Sequence, residues 1–269
     1  MKKSQKSAKN PKPNNTVMVI GLEGWVNAGK VSTFTAKYLV DKLNAKKFCE
    51  ISIDEFHDYM LYRPTVTVKE GIMQSYSPPK NEFFRSKAAK IAQSLVLLLG
   101  HEPHRNWPKY VEAVFMVAKD AKVKRIYTTG GFLADVSNQG SIPISASTNN
   151  EKIVSELKKA GLVLTSYAGP TSIYSEMMVK AKKKGVDVIS LWSAVPMYVS
   201  GVYPRGVYHI LEKIAQLTGI ELDLADLKKK AETFEAEFQK ELAGQPDMRE
   251  LIEGYRGRTT REKEPSYIF

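Results

Sequence analysis

The chain has 269 residues, 43% of them hydrophobic and 10% aromatic, enough to bury a substantial core and to exclude disorder of the whole. Forty Lys and Arg against 29 Asp and Glu give a net charge of +11, and the single cysteine, Cys49, excludes an internal disulfide and a cysteine zinc cage. No apolar run reaches the roughly 20 residues of a membrane helix, and the amino terminus lacks an apolar signal core, so a cytoplasmic protein with no membrane partner is expected.

The basic charge does not by itself predict a nucleic-acid partner. Lys2, Lys3, Lys6, Lys9 and Lys12 fall in an Asn-, Ser- and Pro-rich stretch, 1–15, that reads as a disordered basic tail. Lys158-Lys159, Lys182-Lys183-Lys184 and Lys228-Lys229-Lys230 are each expected near a helix end, solvated and favoured by the dipole. No aromatic-studded basic groove accompanies them.

In chain order, an apolar strand at 17–22 leads into Gly24-Trp25-Val26-Asn27-Ala28-Gly29-Lys30 and then a helix at 31–43. A strand, a glycine turn and a helix start present backbone amides above a sheet, as in the phosphate loop G-x-x-x-x-G-K-[ST]. The position of the magnesium-binding hydroxyl is Val31, which cannot ligate a metal, and Ser32 projects about 100° further round the helix. The turn is thus a candidate anion or ligand site with its metal position lost. A strand follows at 48–53, holding Cys49 as a buried thiol, and then Asp54, Glu55, His57 and Asp58 at a strand end. These four are ligand-capable, but they crowd one loop without the separated donors of a preformed cation site. A hairpin at 65–68 and 72–76 suggests a mixed sheet, and the run at 94–99 suits an interior strand covered on both faces.

His101-Glu102-Pro103-His104 spaces its histidines by three and contains a helix-breaking proline, so it is not a zinc-protease motif. It reads as a strand-to-helix loop whose Glu102 and Trp107 position the helix at 107–121. A strand at 124–128 ends at Gly130-Gly131, read as a turn. Ser137 and Ser141 lack the G-x-S-x-G elbow, and the four histidines are scattered, so no catalytic set is expected. Helices at 151–159 and 172–184, an interior strand at 186–192 and a helix at 203–217 complete the alternation, which predicts a mostly parallel sheet with helices on both sides. From Asp223 to Leu242, Leu224, Leu227, Ala231, Phe234 and Phe238 recur at helical spacing, an amphipathic helix that needs a docking surface, on this domain or on a neighbouring subunit. The expected organisation is a disordered tail (1–15), an α/β/α domain (16–219), a C-terminal helix (220–243) and an irregular tail (244–269).

Gly24-Trp25-Val26-Asn27-Ala28-Gly29, Asp58-Tyr59 with Arg63-Pro64, and Gly100-His101-Glu102-Pro103 with Trp107 resemble, in order, the proteasome assembly chaperone family, second type. Tyr167-Ala168-Gly169-Pro170 and the stretch from Ser190-Leu191-Trp192 through Pro196-Met197-Tyr198 are similar to further segments of that family. The resemblance covers about 16–242. It implies a three-layer α/β/α fold of phosphorylase or hydrolase type with a mostly parallel mixed sheet, homo-oligomers and, in some members, chaperoning of proteasome assembly, with no cofactor. Two positions depart from the family: Met197 replaces a frequent histidine, and Val136-Ser137-Asn138-Gln139 replaces a Pro-His-Thr-Arg segment. Some proteasome-binding relatives end in a hydrophobic-tyrosine-any tripeptide; here Tyr267-Ile268-Phe269 has its tyrosine one place early, and these three residues are the candidate partner contact.

Two functions follow as expectations. One is a non-catalytic oligomeric assembly protein engaging proteasome subunits or another complex through the tail. The other is a binder or enzyme for a nucleoside, nucleotide or phosphate at Gly24, Trp25, Asn27, Gly29, Lys30, Arg63 and Glu102, with Asn27 orienting the ligand and Lys30 neutralising its charge.

Overall fold

The computed structural model describes residues 16–87, 94–134 and 142–244. The expected basic tail, the 136–139 stretch, Ser137 and Ser141, and the tail with Tyr267, Ile268 and Phe269 lie outside the described residues.

Among the described residues there are ten strands and six α-helices, alternating along only part of the chain. The strands are β1 (Thr16–Glu23), β2 (Lys46–Ile51), β3 (Thr65–Lys69), β4 (Ile72–Ser77), β5 (Asn81–Lys87), β6 (Ser94–His101), β7 (Val123–Ala134), β8 (Ile144–Thr148), β9 (Val163–Leu164) and β10 (Asp187–Pro196). The helices are α1 (Val31–Lys42), α2 (Trp107–Asp120), α3 (Val154–Lys159), α4 (Ile173–Lys184), α5 (Pro204–Thr218) and α6 (Ala225–Gly244). Eight strands form one sheet in the order β2-β5-β6-β1-β7-β10-β8-β9, parallel through β6, β1, β7 and β10.

Side-chain alternation along the central strands produces the layers. Val17, Val19, Leu95, Leu97, Ile189 and Leu191 face one side, where they meet residues of α1, α3, α5 and α6. Met18, Ile20, Val96, Leu98, Ile126 and Val188 face the other, against α2 and α4. Runs apolar at every position, such as the one in β6, are the mark of strands covered on both faces. In α5, Val207, Ile210, Leu211 and Ile214 recur at spacings of three and four and are all buried, each such side chain contributing about 2 kcal/mol. The result is the expected three-layer α/β/α fold.

Three local expectations are corrected. Gly130 and Gly131 do not turn the chain; β7 continues through both to Ala134. A Cβ on Gly130 would stand 2.5 Å from the Trp192 ring, and one on Gly131 would stand 2.2 Å from the Ala28 carbonyl, so these glycines permit close approach inside a strand. The hairpin of β3 and β4 is a separate two-stranded sheet; the mixed character of the main sheet comes instead from antiparallel β5 and β8, with charged or small side chains and no strong apolar alternation. Lys228, Lys229 and Lys230 lie in the first two turns of α6, so their exposure, not the helix dipole, accommodates them.

The C-terminal helix docks on its own chain. Leu227 and Ala231 are buried, and Phe234 packs against Tyr203 with ring centroids 5.9 Å apart. Phe238 stacks on Tyr198 at 4.4 Å and 9°. Arg205 pairs with Glu235 at 2.8 Å, and Lys42 and the Tyr38 hydroxyl reach Asp226 at 3.0 and 2.7 Å. The Asp223 carboxylate accepts from the Ala225 amide at 3.1 Å, so it caps the helix.

Candidate functional site

Helices after β1 and β6, which are neighbours, leave on opposite faces of the sheet: α1 on one, α2 on the other. The carboxyl ends of such a pair are where an open α/β sheet forms a crevice. Glu23, the Gly24–Lys30 turn, His101 and Glu102 stand there.

The turn is bound to the body at several points. Gly24 has φ +133°, and a Cβ there would lie 2.9 Å from that of Glu102, so both the backbone angle and the approach require glycine. The Trp25 amide donates to Glu102 Oε2 at 3.1 Å, while Glu102 Oε1 accepts from the Ile173 amide at the start of α4 at 2.9 Å. One carboxylate therefore joins the turn to a helix amino terminus, where negative charge is favoured. Burial nonetheless raises the Glu102 carboxyl above its ordinary range, against the lowering effect of those two amides.

Asn27 is buried and internally satisfied. Its Oδ1 accepts from the Thr33 amide at 3.0 Å, and its Nδ2 donates to Glu23 at 2.8 Å and to the Thr33 hydroxyl at 3.0 Å. Asn27 thus covers an amide in the first turn of α1 that Lys30, the residue preceding that helix, leaves uncapped. Asn27 also bridges to Gly131 of β7, the Gly131 amide donates to the Val26 carbonyl at 2.9 Å, and the Tyr203 amide donates to that of Gly29 at 2.8 Å. Lys30 is exposed, with φ +49°. Ser32 faces inward: its Oγ accepts from the Leu22 amide at 2.9 Å and lies 3.1 Å from the Tyr174 hydroxyl, which donates to the Thr129 carbonyl.

Of the sequence-predicted residues, the structure brings together Gly24, Trp25, Asn27, Gly29, Lys30 and Glu102. Arg63 is exposed on the segment leading to β3 and makes no hydrogen bond or ion pair with the turn. Glu102 positions α4 and the turn, whereas the Trp107 indole donates to the Pro103 carbonyl at 2.8 Å and fixes the loop before α2. Sequence reasoning passed over Glu23, Thr33 and Tyr174 and read Gly131 only as part of a turn, yet all four complete these networks. Only Glu23 and Thr33, close to the motif in the chain, carried a local signal.

Three of the four histidines meet beside this crevice. The His57 ring lies 5.4 Å from that of His104 and 6.1 Å from that of His101, and Tyr62 packs edge-on against His101 at 4.4 Å. His57 is only 4% exposed, and among the described residues no group meets either ring nitrogen in full hydrogen-bond geometry, though the backbone of Ile53 and of His101 lies close. Burial first, and the neighbouring imidazoles second, push it down to about 4. A depression of about 250 Å³ opens next to it, lined by Asp54, His57, Asp58, Tyr59 and Arg105.

The four ligand-capable loop residues diverge. Asp54 accepts from Ser52, Glu55 pairs with Lys109, Asp58 accepts from the Met60 amide, and His57 turns inside. Among the described residues no three His, Cys, Asp or Glu side chains are arranged to hold a metal, and no histidine is hydrogen-bonded to a serine or threonine hydroxyl. No helix among them is long and apolar enough to cross a membrane. Cys49, half-buried on β2, has its thiol pushed up by burial. Chemically, the arrangement holds a turn rigidly and presents Trp25, 54% exposed, at the sheet's rim.

The chain is 24% identical to a PAC2 family protein of Streptomyces avermitilis, with a TM-score of 0.77, covering 84% of this chain and 95% of that one. It is 26% identical to a Mycobacterium tuberculosis proteasome-assembly chaperone homologue, Rv2125, with a TM-score of 0.79, covering 85% and 96%. Uncharacterized protein MJ1210 of Methanocaldococcus jannaschii is 22% identical over 231 residues, 84% of this chain and 83% of that one. The family model of PAC2 matches residues 21–242, from the last third of β1 through nearly all of α6, and the chain belongs to the PAC2 family.

Proposed function

We propose that this chain is a non-catalytic, homo-oligomeric assembly protein of the cytoplasm that engages other proteins, with proteasome subunits the first partners to test. Its family membership and its likeness to a proteasome-assembly chaperone homologue support that reading. The observation that carries it further is Glu102. Its carboxylate takes the place above the turn where a bound anion would collect the Trp25 amide and the start of α4, and Asn27 takes the amide of Thr33. A turn whose Trp25, Asn27 and Lys30 amides are engaged by the chain itself is better suited to displaying Trp25 to a protein than to holding a phosphate.

The partner test is capture of proteasome subunits from the native host by the tagged full chain and by a chain lacking 245–269. Loss of the captured subunits on truncation is expected, with Phe269 the principal contact and Tyr267 and Ile268 flanking it. Identical partners with and without the tail would overturn the tail's role. The catalytic alternative is tested by thermal shift with nucleotides, nucleosides and phosphate. A ligand at 100 times its Kd stabilises by about 2.7 kcal/mol, so no shift is expected here, and a clear one would restore the Gly24–Lys30 turn as a ligand site.

A further inference from the structure

Among the described residues, the ribbon of β3 and β4 packs on no other secondary-structure element to a substantial extent, and every residue in both strands is exposed. Two-stranded ribbons with nothing covering them are marginal in water.

Its two faces differ in chemistry. The register pairs Val66 with Tyr76 and Val68 with Met73, and cross-strand partners share a face. Thr65 with Ser77, Thr67 with Ser75, and Lys69 with Ile72 occupy the other face. A bulge on β4 places the extra residue Gln74 opposite the step from Thr67 to Val68, and it is this irregularity that brings Met73 beside Val68 on the apolar side. Val66, Val68, Met73 and Tyr76 are 55%, 59%, 64% and 57% exposed. Tyr59, on the preceding turn, is 42% exposed and lies close to Tyr76, extending the patch.

We propose that this apolar ribbon face is the surface through which two copies of the chain associate, each ribbon covering the other. The proposal rests on the homo-oligomeric reading above and names its contact. A two-fold contact sets one patch against itself, so any charge in it faces its own copy. On a chain of net charge +11, a self-contact needs a neutral surface, and the four face residues carry no charge; Lys69 belongs to the opposite face and Glu70 to the turn. Size agrees as well. Those four side chains and Tyr59, with on the order of 100 Å² each in water, amount to roughly 500 Å² per copy, so a pair buries about 1,000 Å², the area a specific interface has to clear.

The test is the solution mass of the full chain by light scattering or sedimentation at micromolar concentration. The unmodified chain is expected at a multiple of 30.2 kDa, and V68E/M73E at half that mass or less, with its melting temperature retained because the ribbon does not support the core. A monomeric unmodified chain would overturn both this contact and the oligomeric reading. An assembly that survives V68E/M73E would overturn the contact alone. Should the double variant melt early, single cysteines in a Cys49→Ser background decide: V66C, V68C or M73C is expected to give a disulfide-linked dimer on mild oxidation. Failure of all three to cross-link would overturn the proposal.

Discussion

His57 is held neutral because burial and the neighbouring imidazoles outweigh the backbone groups of Ile53 and His101 that favour its charge. In the unfolded chain it takes up a proton near pH 6.5, whereas in the fold burial delays that uptake to about 4. The unfolded state therefore binds more protons between these values, and stability falls as pH drops from about 6.5 to about 4, by roughly 2–3 kcal/mol. His101, pushed down by burial too, acts in the same direction. Melting temperatures measured across that window are expected to fall steeply for the unmodified chain and less for His57→Phe; parallel profiles would count against this account. Glu102 acts through its two oxygens. Replacing it with alanine removes acceptors from the Trp25 and Ile173 amides, at a cost of about 2 kcal/mol in denaturant unfolding. Glu102→Gln is expected to recover part of that loss, since its one remaining carbonyl oxygen can serve one amide.

Helix α6 illustrates what periodicity can and cannot reveal. Apolar residues at spacings of three and four announce that a helix needs a surface, but the surface itself is built by α1, α5 and the segment that follows β10, all before it in the chain. Its buried anchor is Leu227, and Leu227→Ala is expected to cost about 3 kcal/mol, with hydrogen exchange in α6 accelerated ahead of the central strands. The interior strands were legible because both their faces are covered, leaving unbroken apolar runs in β1 and β6 and a run broken only by two serines in β10. Strands β5 and β8 were not, because NEFFRSK and ISAST carry charged and small side chains that only pairing with β6 and β10 stabilises. Gly130-Gly131 misled for a related reason: a double glycine signals backbone freedom locally, and only the Trp192 ring and the Ala28 carbonyl reveal that space is what those positions require. At the site, the turn was evident from its motif. That Glu102 closes it depends on β1 and β6 lying side by side, which no local pattern encodes.

At the scale of the whole molecule, a net charge of +11 makes every copy repel its like. Association through a neutral ribbon face is therefore expected to strengthen as salt screens that repulsion, whereas an interface built on ion pairs weakens. Sedimentation at low and physiological ionic strength separates the two. The bridge from Asn27 to Gly131 has a consequence for recognition on the same scale. It stitches the segment carrying Trp25 onto β7, so the indole's anchorage is an extension of the central sheet. A protein that closes over it surrenders little backbone freedom of this chain on docking, and affinity gained at that ring is not spent on freezing a loose loop.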